Sequence, residues 1–129
     1  MLLRIGDEVR VPGVPIHVMT YVGPLGPHGE DILDAPKKGV ATLVHSRTVL
    51  SQPGIFVGQR GPESWAEQQV VRQRALLAIG TPNKPLGPNC EDISSFVRKG
   101  EAESPQRVGL FILTSLVVVA AFAFSSNAS

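Results

Sequence analysis

The chain has a single cysteine, Cys90, among its 129 residues. One thiol cannot close an internal disulfide, so the sequence excludes a small secreted fold framed by disulfides and favours a reducing compartment. A structural zinc site needs a cluster of ligands, and the cysteine and the three histidines are not spaced as one. We therefore expect no metal and no other cofactor.

Long stretches of one charge are also missing. Lys and Arg number 12 against 11 Asp and Glu, which gives a formal net charge of +1, and aromatic residues make up only 5%. No basic run is interleaved with aromatic side chains, so the sequence gives no reason to propose a nucleic-acid partner. Asp7 and Glu8 stand where a signal peptide needs its apolar core, so secretion by that route is not expected.

Short apolar runs fill the first half of the chain, each bounded by Gly, Pro or Ser. Their alternation and their β-branched residues are typical of strands. The runs lie at residues 7–11, 14–22, 31–36, 39–44 and 54–58. They predict a small, mostly antiparallel sheet of about four or five strands.

The hydrophobic period becomes helical after Gly61. A helix is predicted over 65–79, and a second, short helix is predicted to begin near Asn89 or Cys90 and to end at Gly100. With 43% hydrophobic and 18% charged residues, the chain is expected to form one α+β domain with two helices packed on the sheet. On the first helix, the face expected to cover the core comprises Ala66, Val70, Gln73 and Leu77 beside Val71, Ala75 and Ala78.

An uncharged run occupies residues 108–124, from Val108 to Phe124. Its length is close to the minimum that crosses a bilayer, and Arg98, Lys99 and Arg107 precede it. A buried core helix is the alternative, but so small a chain could hardly cover it on all sides. We predict a C-terminal membrane anchor with a short tail over 105–129. The basic flank would leave the domain at 1–104 in the cytoplasm.

Cys90 is the first candidate for chemistry. It is predicted to lie at a helix N-terminus, where the helix dipole and unpaired N–H groups lower a thiol pKa and favour the nucleophilic thiolate. Most free cysteines are small buried hydrophobes, so position alone does not establish a nucleophile.

A cysteine nucleophile needs a base, and histidine is the usual one. Strand alternation places His17 on one face with Met19 and Tyr21, on an element that would hold the ring rigidly. His28 sits in a Pro/Gly turn and is interpreted as solvated, and His45 as an ordinary strand-edge histidine. His17 is therefore the preferred base.

The order of four short motifs over nearly the whole chain resembles the lecithin:retinol acyltransferase family. It is most similar to the small phospholipase A/acyltransferase proteins, which also carry a C-terminal apolar anchor. The motifs are Ile5-Gly6-Asp7-Glu8-Val9, His17-Val18-Met19-Thr20-Tyr21-Val22-Gly23, Asn89-Cys90-Glu91, and Gly100 with Ser104-Pro105-Gln106.

This resemblance implies a circularly permuted NlpC/papain-like α+β fold, with Cys90 as nucleophile and His17 as general base. It implies a lipid or acyl substrate, a thioester acyl-enzyme, and the backbone N–H of Cys90 as an oxyanion donor. Tyr21, in the His17 motif, and Asn89, directly before Cys90, are expected at the oxyanion or substrate pocket.

The chain departs from the family in its third polar residue, in the residues after Cys90, and ahead of the cysteine motif, where Asn83 or Leu86 stands in place of the family's usual aromatic. The family's third polar residue, often a histidine three places before a proline, corresponds to Leu33 by counting back from Pro36. Asp34 is next to it and is our candidate to orient His17, although a one-residue shift turns it to the opposite strand face unless the strand is irregular. Asp31 is a second candidate. After Cys90-Glu91 the family continues with His-Phe, where this chain has Asp92 and Ile93.

Three functions remain open from the sequence. The first is a membrane-anchored cysteine acyltransferase or lipid hydrolase. The second is an NlpC-type cysteine peptidase or amidase, which would share the Cys-His pair but would be expected outside the cytoplasm. The third is a catalytically inactive, membrane-tethered interaction module, favoured by the absence of the third histidine.

Overall fold

The computed structural model of the protein describes residues 2–13, 16–84 and 89–101. These residues form five strands and three helices. The elements are, in order, β1 (Glu8–Val11), β2 (His17–Gly23), β3 (Asp31–Asp34), β4 (Thr42–His45), α1 (Ser46–Leu50), β5 (Phe56–Val57), α2 (Trp65–Ala78) and α3 (Cys90–Lys99). The predicted α+β class is confirmed.

The strands form one antiparallel sheet in the order β4-β3-β2-β1-β5. β2 is the central strand, and it pairs with β1 on one side and with β3 on the other. The pairing of β2 with β3 is irregular between Tyr21 and Gly23, where the register shifts by one residue. The predicted antiparallel sheet is confirmed, and it has five strands.

The sheet carries a hydrophobic cluster on each face. The larger cluster joins Val22 and Leu33 of the sheet to the buried faces of α2 and α3. The smaller cluster lies around Met19 and Ile32 and includes Val49 of α1. Since each face of a pleated strand takes every second residue, β2 contributes alternately to the two clusters.

Helix α2 is placed close to its prediction, but its buried face is narrower. Ser64 caps the helix by accepting a hydrogen bond from the N–H of Glu67, 3.2 Å away. Its buried residues are Val71, Ala75 and Ala78. The expectation that Ala66, Val70 and Gln73 lie on the core-covering face was wrong, because apolar residues occur all round this helix and periodicity could not select one side.

The described residues contain no helix that is both long and apolar enough to cross a membrane. The predicted anchor at 108–124 lies outside the described residues.

Candidate active site

Helix α3 begins at Cys90 because Asn89 forms a complete capping box with Asp92. The Asn89 side chain accepts from the N–H of Asp92 at 3.1 Å, and the Asp92 carboxylate accepts from the N–H of Asn89 at 3.3 Å. Acidic residues in the first turn and basic residues in the last turn complement the helix dipole. Gly100 ends the helix with φ of 80°, a conformation that favours glycine.

The helix is held against the central strand. Ile93, Phe96 and Val97 are buried in the larger cluster. The hydroxyl groups of Thr20 and Ser94 also form a buried hydrogen bond of 2.7 Å between β2 and α3. This docking brings the N-terminus of α3 to the first residues of β2.

The Cys90 thiol meets the His17 ring at that junction. It is hydrogen-bonded to the His17 side chain and to the backbone N–H of Val18. Burial raises the pKa of the Cys90 thiol, but the His17 and Val18 hydrogen bonds outweigh burial and bring the pKa below its usual value. The structure therefore brings together the two residues that the sequence selected.

His17 is shifted in the opposite direction. Its hydrogen bonds, first to Asp34 and then to Cys90, raise the pKa of His17 to about 10, although burial opposes them. A protonated imidazole beside a thiol of lowered pKa favours the thiolate–imidazolium pair, which is the reactive form of a cysteine nucleophile.

Asp34 holds the far side of the His17 ring. Its Oδ1 atom lies 2.5 Å from Nε2 of His17. Since Nε2 is engaged by Asp34, Nδ1 is the ring nitrogen left to face the thiol. The carboxylate thus fixes both the orientation of the ring and the position of its protons, the task of the third member of a catalytic triad.

The register shift in β2 explains how Asp34 reaches His17. Thr20 pairs with Leu33, and continuing that register places Asp34 opposite Met19. Asp34 is then a diagonal neighbour of His17 on the same strand face. If the register of the Gly23–Asp31 pair continued without the shift, Asp34 would stand opposite Thr20, on the other face. The register shift that places Asp34 on the same face as His17 is therefore present, and it lies at the opposite end of the β2–β3 pair from Asp34.

The two predicted pocket residues have other contacts in the structure. Asn89 uses its side chain to cap α3. Tyr21 packs against the smaller cluster, and burial, followed by the charges of Glu30, Asp31 and Asp7, raises the pKa of its hydroxyl. A role for either residue at the substrate pocket stays a prediction.

The other histidines lie outside this group. His28 is hydrogen-bonded through Nδ1 to Asp31 Oδ1 at 2.8 Å, so Asp31 holds His28 rather than His17. Nδ1 of His45 accepts the N–H of Arg47 at 3.0 Å and caps α1. Neither ring is available to replace His17 as the base.

A charged cleft beside Cys90 was not anticipated from the sequence. It has a volume of about 180 Å³ and is lined by Glu8, Arg10, Val18, Glu91 and Arg98. Buried Glu8 lies 2.6 Å from Arg98 of α3 and 2.5 Å from Arg10 of β1. Its size and polar walls suit a small polar group rather than an acyl chain. The only sequence signal for the Glu8–Arg10 pair is the alternation in Glu8-Val9-Arg10, which puts both charges on one strand face.

Within the ranges described above, no three His, Cys, Asp or Glu side chains are grouped so that they could hold a metal ion. Comparisons with protein-family models, with curated proteins and with solved structures found no match.

Proposed function

We propose that this protein is a membrane-anchored, cysteine-dependent acyltransferase or lipid hydrolase that works through a thioester acyl-enzyme. One observation carries the proposal: the hydrogen-bonded chain from the Cys90 thiol through the His17 ring to the Asp34 carboxylate. Cys90 supplies the nucleophile and His17 the proton, while Asp34 is a positioning residue that acts through His17.

In the acylation step, the Cys90 thiolate attacks the carbonyl carbon of an ester. The negative charge that develops on the carbonyl oxygen is stabilised by the backbone N–H of Cys90 at the start of α3. The carbon–oxygen bond to the leaving alcohol then breaks, and the protonated His17 ring gives its proton to that alcohol. The products are a thioester on Cys90, a neutral His17 and the free alcohol.

In the second step, neutral His17 accepts a proton from water or from an acceptor amine or hydroxyl. The deprotonated acceptor attacks the thioester carbonyl, the carbon–sulfur bond breaks, and the Cys90 thiolate leaves. The protonated ring and the thiolate are thereby restored. Water as acceptor gives hydrolysis, and an amine or hydroxyl gives acyl transfer.

The layout of the site supports the permuted NlpC/papain-like assignment proposed from the resemblance. The histidine lies on a strand that precedes the cysteine-bearing helix in the chain, and that helix packs on the same strand. The departures after Cys90 also have a structural use. Asp92 completes the cap of α3, and Ile93 packs in the core, so both serve the helix that presents the thiol.

The uncharged run at 108–124 supports a lipid substrate, since an anchor there would hold Cys90 near a bilayer. We expect truncation after Gln106 to release the protein from the membrane fraction. A truncated protein that stays in that fraction would contradict the anchor.

The enzyme classes are separated by incubating the full chain with phosphatidylcholine vesicles and, in parallel, with muropeptides. Release of fatty acid that is lost in a Cys90→Ser variant supports the proposal. Peptide cleavage would instead assign the NlpC-type peptidase or amidase. If neither substrate is cleaved, the inactive interaction module is the remaining function.

A further inference from the structure

Two loops that adjoin the site residues are joined to each other. The loop at 35–41 directly follows Asp34, and the loop at 79–84 lies between α2 and Cys90. Their backbones are linked by hydrogen bonds from Ala41 N to Thr81 O at 2.8 Å, from Gly80 N to Ala41 O at 2.7 Å, and from Asn83 N to Gly39 O at 3.1 Å. A further bond of 2.7 Å runs from the Asn83 side chain to the Ala35 carbonyl. The two loops are therefore joined along their backbones.

These loops and the end of α2 expose large apolar side chains. Val40 is 47% exposed, Ile79 is 42% exposed, and Leu76, one helical turn before the second loop, is 54% exposed. Single exposed apolar residues are ordinary, but three on adjoining elements form a candidate interaction surface.

The same segments carry charge of one sign. Residues 35–41 and 76–84 contain three lysines, Lys37, Lys38 and Lys84, and no acidic residue. All three lysines are exposed. We call this set of six residues the loop surface: Lys37, Lys38, Val40, Leu76, Ile79 and Lys84.

We propose that the loop surface docks on an anionic lipid bilayer. Exposed aliphatic side chains and exposed lysines on the same segments match the chemistry of a membrane interface, where apolar groups enter the acyl boundary and lysines contact anionic headgroups. The inference rests on the lipid chemistry proposed above, and it assigns the face through which the site approaches its substrate.

The sequence beyond the described residues agrees with this placement. Gly100, at the end of α3, lies against the Arg74 side chain of α2. Residues 102–107 can span at most about 22 Å before the uncharged run begins at Val108. If that run inserts, the region around α2 is held close to the bilayer surface.

Docking there would orient the site. One part of the loop surface follows Asp34 in the sequence, and the other part precedes Cys90. Both site residues are therefore close in sequence to the proposed bilayer contact. Ala35 and Ala41, at the two ends of the first loop, belong to the larger hydrophobic cluster, and Cys90 packs against that same cluster. Lipid bound at this loop would therefore lie near the part of the domain that bears the thiol.

The test uses the only tryptophan of the chain, Trp65. The full chain with Trp65→Phe and Leu76→Trp is reconstituted in vesicles of phosphatidylcholine and phosphatidylserine that contain brominated lipid. Bromine quenches only nearby tryptophan. A matched protein with Trp65→Phe and Phe56→Trp reports on β5, at the other edge of the sheet from β4, where Phe56 is 43% exposed.

We expect quenching at position 76 at least about twofold stronger than at position 56, because only the loop surface meets lipid. Combined Lys37→Glu, Lys38→Glu and Lys84→Glu changes should reduce it by about half or more, and so should omission of phosphatidylserine. Arg47→Glu, at the far end of β4 from the 35–41 loop, should leave it unchanged.

Equal quenching at the two positions would overturn the proposal. A blue shift at position 76 without bromine quenching would overturn it too, and would assign the surface to contact between copies of the chain or with another protein. Quenching is measured without turnover and can be repeated with Cys90→Ser. Docking and the proposed chemistry can therefore fail separately.

Discussion

Nε2 of His17 and Oδ1 of Asp34 are 2.5 Å apart, on neighbouring strands whose register shifts by one residue at Tyr21–Gly23. The shift turns Asp34 to the face that carries His17. The carboxylate can therefore orient the ring whose other side meets the Cys90 thiol. The proposed chemistry depends on this contact between β2 and β3.

Asp34→Asn is expected to lower the pKa of His17, because the hydrogen bond to Asp34 is the largest cause that raises it. Turnover should fall by about 100-fold as the ring loses its orientation and its preferred protonation state. The pKa is read from the histidine ring resonances in an NMR titration.

Glu30→Gln removes a carboxylate at the other end of β3 from Asp34, where Glu30 accepts a hydrogen bond from Ser46 rather than from His17. This change should leave the His17 pKa and the turnover rate unchanged. If Asp34→Asn leaves the His17 titration where it was, Asp34 does not position the ring.

His17→Ala is expected to raise the pKa of Cys90 towards that of an ordinary thiol, because the hydrogen bond from the imidazole is the main cause that lowers it. Burial of the thiol would then act without that opposing effect. The rate of iodoacetamide alkylation against pH measures the thiolate fraction, and its midpoint should move to higher pH in the variant.

His28→Ala is the matched control, since His28 is also an imidazole bonded to an aspartate, but that aspartate is Asp31 rather than Asp34. Its alkylation midpoint should match that of the wild type. Equal midpoints in the His17 variant and the wild type would remove the basis for the Cys90–His17 pair.

Asp31→Asn should destabilise the protein most at neutral pH. Burial raises the pKa of Asp31, but hydrogen bonds from Gly26 N–H, His28 and Leu25 N–H lower it overall. Because the folded pKa is below the unfolded one, the carboxylate stabilises the fold above pH 3.8, and this contribution is lost as pH falls further.

We expect Asp31→Asn to lower the free energy of unfolding, measured with urea at neutral pH, by about 1–3 kcal/mol. The difference from the wild type should shrink as the pH is lowered below the usual aspartate range. A difference that is constant with pH would mean that the charge of Asp31 does not contribute.

Glu8→Gln should lower the free energy of unfolding by about 3 kcal/mol, since it takes the carboxylate from the largely buried Arg98 side chain. Glu67→Gln, on the exposed surface of α2, should cost less than about 0.5 kcal/mol. Chemical denaturation of the two variants provides the comparison, and similar midpoints for both would show that the Glu8–Arg98 pair does not stabilise the docking of α3.

The strands and helices α2 and α3 could be predicted because their signals are local. Alternation in β1 and β2, Ser64 before α2, and Asn89 and Gly100 at the ends of α3 each act within a few residues. Helix α1 has only five residues, too few to show a helical period.

The sequence allowed Asp34 to be named as a candidate partner of His17, but it could not establish their contact. Which face Asp34 occupies depends on the register shift between β2 and β3, and register is set by pairing with another strand rather than by the strand itself. The Glu8–Arg98 pair joins residues far apart in the chain and has no signal in either segment. For the same reason the charged cleft beside Cys90 emerges only from the structure.

If Cys90 carries the acyl group, intact-protein mass spectrometry after brief exposure to phosphatidylcholine vesicles should detect the thioester. We expect one added acyl mass that maps to the peptide with Cys90 and is removed by neutral hydroxylamine. This mass should be absent in Cys90→Ser and strongly reduced in His17→Ala. An acyl adduct on another residue, or none on Cys90 while fatty acid is released, would contradict the proposed thioester on Cys90.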